Sequence, residues 1–427
     1  MTLSADLWTR SLWYETAEEP DPGSDAPQDA RVLVIGGGFT GLSTALHLAE
    51  RGVAVTLIEA EKIGFGASGR NGGQVIPGLK IDAPEMRARW GREAGGRLAA
   101  FAGEAADRVF DLVDRHGIAC APVRNGWIQC AHSELALRAV HARARDWQAE
   151  GAPVEILDAG AIATATGTGA YTGGWRDLRA GTVNPLAYVR GLARAARAAG
   201  ACIVTGRRVT GIARDGAGWR LELGGAQVRG ETVVLATNAY DAALMPRFAR
   251  SILPVQSCVL ATEPLPAETA ATILPQGACA SEVRKLAYYY RISADGRLVF
   301  GGRGATGAEH SQGLQAALEA GMRRLFPQIG AARVEKAWSG HLALTLDHLP
   351  HIHHAGQGLW AVAGYNGRGV ALATAMGAAL AGHLAEGEPL PLPETPVRPI
   401  FWHALRHPVM DLGVRYYWLK DRLGFAS

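Results

Sequence analysis

The sequence predicts an α/β fold: a doubly wound, largely parallel sheet, with a second α+β part built on an antiparallel sheet. Three observations predict it. Residues Val32-Leu-Val-Ile-Gly36-Gly-Gly38-Phe-Thr-Gly41-Leu-Ser43 pass from an apolar stretch into glycines at G-x-G-x-x-G spacing, then into a helical pattern. A second apolar stretch, Ala54 to Ile58, ends at Glu59, an acid about 20 residues beyond the glycines. From Ser251 to Phe300 the character changes, with strand-like segments separated by Pro254, Pro264, Pro266 and Pro275. There Tyr288-Tyr-Tyr290-Arg291, Asp295-Gly296 and Leu298-Val-Phe300 read as a hairpin.

The first two observations form a Rossmann-like dinucleotide unit. Gly36 permits the tight turn off the strand. Gly38 lets a pyrophosphate approach the backbone, and Gly41 lets the helix pack closely on the sheet. That helix carries Leu42, Ala45, Leu46 and Ala49 on one face. Its N-terminus offers free N–H groups and a positive dipole end to phosphates. Glu59 is placed to accept hydrogen bonds from a ribose diol, and its charge opposes a 2′-phosphate.

Composition bounds the rest. The chain has 427 residues, 48% hydrophobic and 19% charged, which suits a globular protein of two domains. The net charge of +3 is too small to imply a nucleic-acid partner. Cys120, Cys130, Cys202, Cys258 and Cys279 are scattered and odd in number, which fits reduced thiols in the cytoplasm. Residues 1–19 carry acids and no apolar core segment, so they are not expected to act as a signal peptide. The alanine-rich Gly369 to Leu384 is too weakly apolar for a membrane span, so membrane contact is not expected.

Taken in order, residues 1–30 read as an arm with an aromatic patch, Trp8, Trp13 and Tyr14, and 31–60 as the first βαβ unit. Gly64 to Gln74 is a loop with five glycines, and loops of this kind bring backbone close to a ligand. Its Ser68, Arg70, Asn71 and Gln74 are donors suited to phosphate, ribityl or ring carbonyls. Pro84 to His116 reads as one long helix, Trp127 to Cys130 as a strand and Glu134 to Gly151 as a helix. Asn184 caps a helix with Pro185 at its first position, ending at Gly200. Strands follow at 201–205, 208–214, 218–223 and 232–236, the last running into Thr237-Asn238, a ligand-side turn. Residues 311–326 are helical, 338–349 and 359–363 are strands, and Gly364 to Gly369 leads into a long helix. Pro389 to Pro399 is a linker. In the tail, Val409, Leu412, Tyr416, Leu419 and Leu423 form one apolar helical face, expected to dock on the body or on another subunit. The histidines at 348, 351, 353 and 354 lack the acid and cysteine partners of a metal site, so no metal is expected.

Three blocks carry a family resemblance: Ile35 to Ser43 with Glu59, then Gly66-Ala-Ser-Gly-Arg-Asn-Gly-Gly-Gln74, then Trp338-Ser-Gly340 through Asp347-His-Leu-Pro350 to Gly364-Tyr-Asn-Gly-Arg-Gly-Val370. In this order the chain resembles the D-amino-acid-oxidase-type FAD-dependent oxidoreductases. With the Ser11-Leu-Trp-Tyr14 arm it is most similar to their bacterial γ-glutamylputrescine oxidoreductase branch.

The resemblance implies a discontinuous FAD domain of glutathione-reductase type (31–80, 150–250, 336–388). It also implies an inserted substrate domain (81–149, 251–335) and a tail from 389 to 427. Gly36, Gly38, Phe39, Thr40 and Gly41 would hold the pyrophosphate, and Glu59 with Ala60 the adenosine ribose. Ala67, Ser68, Arg70, Asn71, Gly72, Gly73 and Gln74 would line the pyrophosphate, ribityl chain and ring. Val209 would meet adenine, and Thr237 would sit at the cofactor. Gly364, Asn366, Gly367, Arg368, Gly369 and Val370 would lie at the pyrimidine edge. No cysteine falls in 338–370 and no histidine in 64–74, so non-covalent FAD is expected.

The implied reaction is oxidation of the C–N bond of an amine or amino acid by hydride transfer, with imine hydrolysis. Oxygen or another carrier would accept the electrons. Substrate-side candidates are His341, Tyr290, Arg291, Tyr365 and Arg368. Each has a plainer reading. His341 is read as an ordinary buried histidine, the tyrosines as alternating packers, Arg291 as a partner of Asp295, and Arg368 as a contact to the flavin O2. An NAD-linked dehydrogenase is the alternative that shares the first βαβ unit, and self-association stays open.

Overall fold

The computed structural model describes residues 8–19, 23–25, 27, 29–240, 243–284, 286–303 and 312–422. The sequence stretch 29–35 is a strand, β1 (Asp29–Ile35), because its apolar run is covered on both faces; Val32, Leu33, Val34 and Ile35 are all buried. It lies between two parallel neighbours, β2 (Val55–Ile58) and β11 (Gln227–Leu235). β8 (Cys202–Val204) extends the sheet beyond β2, and β18 (Leu359–Ala363) pairs in parallel with β11. β17 (His351–His354) closes that edge antiparallel to β18. A hairpin of β9 (Gly211–Asp215) and β10 (Gly218–Glu222) joins β11.

Two helices converge at the carboxyl ends of these strands. Helix Phe39–Glu50 follows the glycine turn, and helix Gly369–Glu386 follows β18. They pack against each other closely enough that Ser43 Oγ donates to the Thr374 carbonyl at 2.7 Å. A Cβ on Gly377 would lie 2.6 Å from the Thr40 carbonyl oxygen.

The second sheet contains β4 (Trp127–Ala131), β5 (Val154–Leu157), β6 (Gly173–Asp177), β12 (Leu253–Thr262), β13 (Cys279–Glu282), β14 (Tyr288–Ile292), β15 (Leu298–Arg303) and β16 (Val334–Leu344). Its order is β16-β12-β15-β14-β13-β4-β6-β5. All of its pairs are antiparallel except β13 with β4. One face packs on helix Gln312–Leu325 through Leu318, Met322 and Phe326, with Tyr290 and Phe300 in the same core. The other face looks towards the first sheet.

Several expectations are corrected. Strands 154–157 and 173–177 belong to the second sheet, not with 150–250 in the first, because they build outward from β4. Likewise 334–344 pairs along its length with β12. The single helix 84–116 is broken. Gly91 takes φ +81° and ψ 168°, a positive-φ extended conformation that glycine adopts readily and that interrupts the helical ladder, and a separate helix runs Ala105–Arg115. The expected strand 208–214 starts only at Gly211. The tail is helical from Arg406 to Arg422, and of its apolar face Val409 is 43% exposed, Leu412 69% and Tyr416 56%, so these three are not docked on this chain, while Leu419 and Leu423 lie outside the described side chains.

The arm does fold onto the body. Ser11 caps the short helix Leu12–Thr16, and Leu12 and Trp13 are buried. Trp13 Nε1 donates to the Asn71 carbonyl at 2.8 Å, and its ring meets Trp338 edge-on. Asn184 Nδ2 donates to Thr16 Oγ1, Arg190 to the Ala17 carbonyl, and Lys336 pairs with Glu15.

Candidate active site

A cavity of about 840 Å³ runs between the two sheets, from Glu59 and Val209 at one end to Trp127, Tyr289 and Arg284 at the other. Its first end is the strand–turn–helix unit. Gly36 turns at φ +112°, and a Cβ on Gly38 would lie 2.8 Å from Ser68 Oγ. The backbone here is therefore free to meet a ligand only because these residues are glycines. Phe39 and Thr40 also line the cavity, and the Phe39 N–H donates to Ser68 Oγ at 3.0 Å. Gly41 is not in the wall. A Cβ there would lie 2.0 Å from the Gly36 carbonyl oxygen, so it serves helix packing rather than the pyrophosphate.

Glu59 is held by two backbone N–H groups, Gly37 at 2.7 Å on Oε2 and Glu61 at 2.9 Å on Oε1. Burial pushes its carboxyl above the usual range, and these two donors oppose that. Ala60, Val209 and Thr237 complete this end.

The glycine-rich loop forms the next stretch of wall with Ala67, Ser68, Arg70, Asn71, Gly72 and Gln74. Most of its polar side chains turn out to hold the protein together. Asn71 Nδ2 donates to the Ala67 and Ser68 carbonyls, and its Oδ1 accepts from Gly73 N. Arg70, almost fully buried, donates to the carbonyls of Phe65 and Ser339, while Trp338 Nε1 donates to the Arg70 carbonyl. Gln74 Nε2 bridges the Ala280 and Tyr290 carbonyls. The side-chain amides expected to face the cofactor thus clamp this loop, which leaves its backbone as the binding surface. Gly73 lies outside the wall, with φ +74° and the Val183 carbonyl oxygen 2.2 Å from where a Cβ would stand.

At the far end, Asn366, Gly367, Arg368, Gly369 and Val370 line the cavity where helix Gly369–Glu386 begins. That helix N-terminus presents a positive dipole end, suited to an electron-rich ring edge. Asn366, at φ +53°, bonds through its side chain to Thr345 and to the Gly364 carbonyl. Gly364 itself lies outside the wall, and a Cβ there would strike Thr345 at 2.4 Å.

The substrate-side candidates separate. Pleating decides the tyrosines. Ladder partners in neighbouring strands share a face, so Gln129, Ser281, Tyr289 and Gly301 form one row across β4, β13, β14 and β15. Gln129, Ser281 and Tyr289 all line the cavity. Tyr290 points the other way, fully buried in the helix-side core, with its hydroxyl next to Tyr171 and Cys130. Arg291 also misses the cavity. It donates to the Val183 carbonyl at 2.7 Å and lies under the Trp13 ring, while Asp295 pairs with Arg297 instead.

Tyr365 lines the cavity but on the helix side, its hydroxyl bonded to that of Thr40. Arg368 lines it too. It is 7% exposed, donates to the Pro77 carbonyl, and its guanidinium lies 5.1 Å from the Trp127 ring centroid. Its pKa is pulled down to about 10 by burial, and no described carboxylate lies within ion-pair distance.

His341 is buried against the cavity, with its backbone N–H donating to Tyr240 Oη at 2.8 Å. Burial, helped by the nearby Arg70 charge, pulls its ring down to about 4, so it is neutral at pH 7. Its Nε2 is buried without a protein partner.

Trp127, Gln129, Ser281 and Tyr289 were not anticipated; the three-tyrosine run was the only signal pointing to one of them. The histidines at 351, 353 and 354 have local partners: Asp347, the Thr395 carbonyl and the Trp360 ring.

These features fit FAD. The glycine turn would take the pyrophosphate, Glu59 the ribose, and the 366–370 turn with the unpartnered His341 Nε2 the ring end. The family model for FAD dependent oxidoreductases, DAO, matches residues 31–382. Gamma-glutamylputrescine oxidoreductase of Escherichia coli K12 is 31% identical over 92% of this chain and 93% of that protein. The probable oxidoreductase OrdL of Rhizobium meliloti is 32% identical over 99% and 100%. The fold matches the crystal structure of glycine oxidase from Geobacillus kaustophilus with a TM-score of 0.71 at 24% identity, covering 85% of this chain and 96% of that one. A nicotinamide enzyme would share only the first βαβ unit, whereas the family match continues to residue 382. A cavity shaped for FAD and a match along most of the sequence lead to one conclusion: the chain belongs to the DAO family of FAD-dependent oxidoreductases.

Proposed function

We propose that the enzyme oxidises the C–N bond of an amine or amino acid, as the names of its relatives do for γ-glutamylputrescine and glycine. The observation that carries this reading is the row Gln129, Ser281 and Tyr289, a polar but uncharged stretch of the cavity wall beside Trp127, on whose ring Arg368 of the 366–370 turn rests. Such a wall orients an amine by hydrogen bonds without trapping it as an ammonium ion. FAD, when bound, supplies the hydride acceptor.

The protein's own groups set up the substrate. Tyr289 Oη is fixed by Ser257 Oγ at 2.8 Å, and Ser281 Oγ accepts from Trp127 Nε1 at 2.9 Å. Both hydroxyls are therefore pre-oriented. The Arg368 guanidinium lowers the pKa of an amine beside it and favours the free base that can release hydride. The neutral His341 adds no further charge. Loss of hydride and of the N–H proton leaves an imine, which water hydrolyses to a carbonyl compound and an amine or ammonia. Oxygen or a carrier then takes the electrons.

The test is anaerobic mixing of the yellow holoenzyme with a panel of amines and amino acids. Bleaching of the flavin bands by at least one member is expected. A flavin that dithionite bleaches but no amine does overturns the reading. We also read the FAD as non-covalent, since no cysteine lines the cavity. Acid precipitation should release the colour, and a yellow pellet would reject that.

A further inference from the structure

Eight large apolar side chains stand exposed among the described residues, and five of them fall between 401 and 416. Phe401 stands out furthest, 96% exposed. Its neighbours are fastened. The buried Ile400 donates its N–H to the Arg250 carbonyl at 2.8 Å, and His403 Nε2 meets the Ile252 carbonyl at 3.1 Å. Phe401 is therefore held out in water by backbone anchored to the body. Leu405 enters helix Arg406–Arg422, and the exposed Val409, Leu412 and Tyr416 follow it at helical steps, so the four share one face.

Cations border this stripe. Arg250 and Arg398 are exposed, and Arg406 Nη1 donates to the His403 carbonyl at 3.1 Å. None of the three has an ion-pair partner among the described residues. Asp411 is the one acid between 398 and 416, and helical geometry puts it on the side away from the stripe. An apolar stripe with an aromatic tip, bordered by unpaired guanidiniums, is the chemistry that enters the headgroup layer of an anionic bilayer. A second copy suits it poorly. In a two-fold contact the patch meets itself, and the three cations are brought against three cations.

We propose that residues 398–416, with Arg250, form a docking surface for an anionic lipid bilayer, and that Phe401 and Leu412 enter its headgroup layer. No described helix is long and apolar enough to cross a membrane. A helix lying along the surface needs only one apolar face, so the patch calls for peripheral binding and no span. The proposal is independent of the reaction in the cavity.

The experiment floats the full-length holoenzyme with vesicles of phosphatidylcholine alone, and of three parts phosphatidylcholine to one part phosphatidylglycerol. Light scattering gives its mass in solution. Flotation with the phosphatidylglycerol vesicles is expected, and it should weaken at about 0.5 M salt, where charges are screened beyond about 4 Å. Phe401→Ser and Leu412→Glu should each lower the partition constant about tenfold or more, the worth of burying one such side chain. Arg250→Gln combined with Arg398→Gln should do the same by removing two cations, about tenfold or more. All four positions are exposed, so flavin content and Tm should stay at the parent's values, and they report folding. No flotation, or equal flotation with both vesicles, overturns the proposal. So does flotation unchanged in Phe401→Ser and Leu412→Glu. A dimer that Leu412→Glu dissociates, with no vesicle binding, gives the face to a second copy and overturns it too.

Discussion

The two walls of the cavity are built in opposite ways. The FAD side is built from short local units: in the first, Gly36, Gly38 and Thr40 are neighbours in the chain, and Glu59 reaches the Gly37 N–H directly. The substrate side is assembled by register. Gln129, Ser281 and Tyr289 come from three strands far apart in sequence and share a face only because of how those strands pair. Local chemistry tolerates no side chain where backbone must approach. Register tolerates substitution but not a shift of one residue, which would exchange Tyr289 for Tyr290.

The largest effect should come from breaking the local wall. Gly41→Ala puts a Cβ 2.0 Å from a carbonyl oxygen. A loss of about 3 kcal/mol or more, with little FAD bound, is expected from thermal unfolding and flavin content. A yellow protein with the parent's Tm would show that the helix has room to move.

Next is the pair that sharpens the contrast. Tyr289→Phe should lower kcat/KM about tenfold with Tm near the parent's, whereas Tyr290→Phe should leave kcat/KM alone and lower Tm, because its hydroxyl bonds only inside the core. The reverse pattern would mean the strand is paired one residue out.

Glu59→Gln should weaken FAD binding about tenfold, read by equilibrium dialysis, since the ribose loses a charged acceptor. Equal affinity would move the ribose elsewhere.

A further effect is a pH slope. Unfolded, His341 has a pKa near the ordinary 6.5; folded, burial holds it at about 4. The unfolded chain takes up its proton first, so its contribution to stability is present above about pH 6.5 and is lost as pH falls towards 4. His341→Gln should flatten the loss of stability in that window, and an unchanged slope would assign it to other groups.

What the sequence made legible follows the same division. The βαβ unit, the Asn184 cap, the glycine loop and the helix after Gly369 were readable because each is specified within a few residues. The tyrosine run announced a strand, but which face meets the cavity depends on β13 and β15, and nothing near residue 290 encodes that. Asn71 and Gln74 misled for a related reason. An amide beside a glycine looks the same whether it bonds a ligand or, as here, carbonyls across the loop and in the second sheet. Arg291 was misassigned because its partner carbonyl belongs to Val183, over a hundred positions earlier. The break at Gly91 was the one local signal overlooked.

The docking of the arm sets an order of events during synthesis. Trp13 and Glu15 are made well before Trp338 and Lys336, against which they settle and which emerge more than 300 residues later. The same indole holds the Asn71 carbonyl, so the loop that borders the cofactor is fastened by a side chain whose other aromatic partner is made much later. At ordinary rates of chain elongation that interval is about half a minute. The arm thus leaves the ribosome long before it finds its place, and the cofactor loop gains its fastening through Trp13 in final form only after Trp338 has been made.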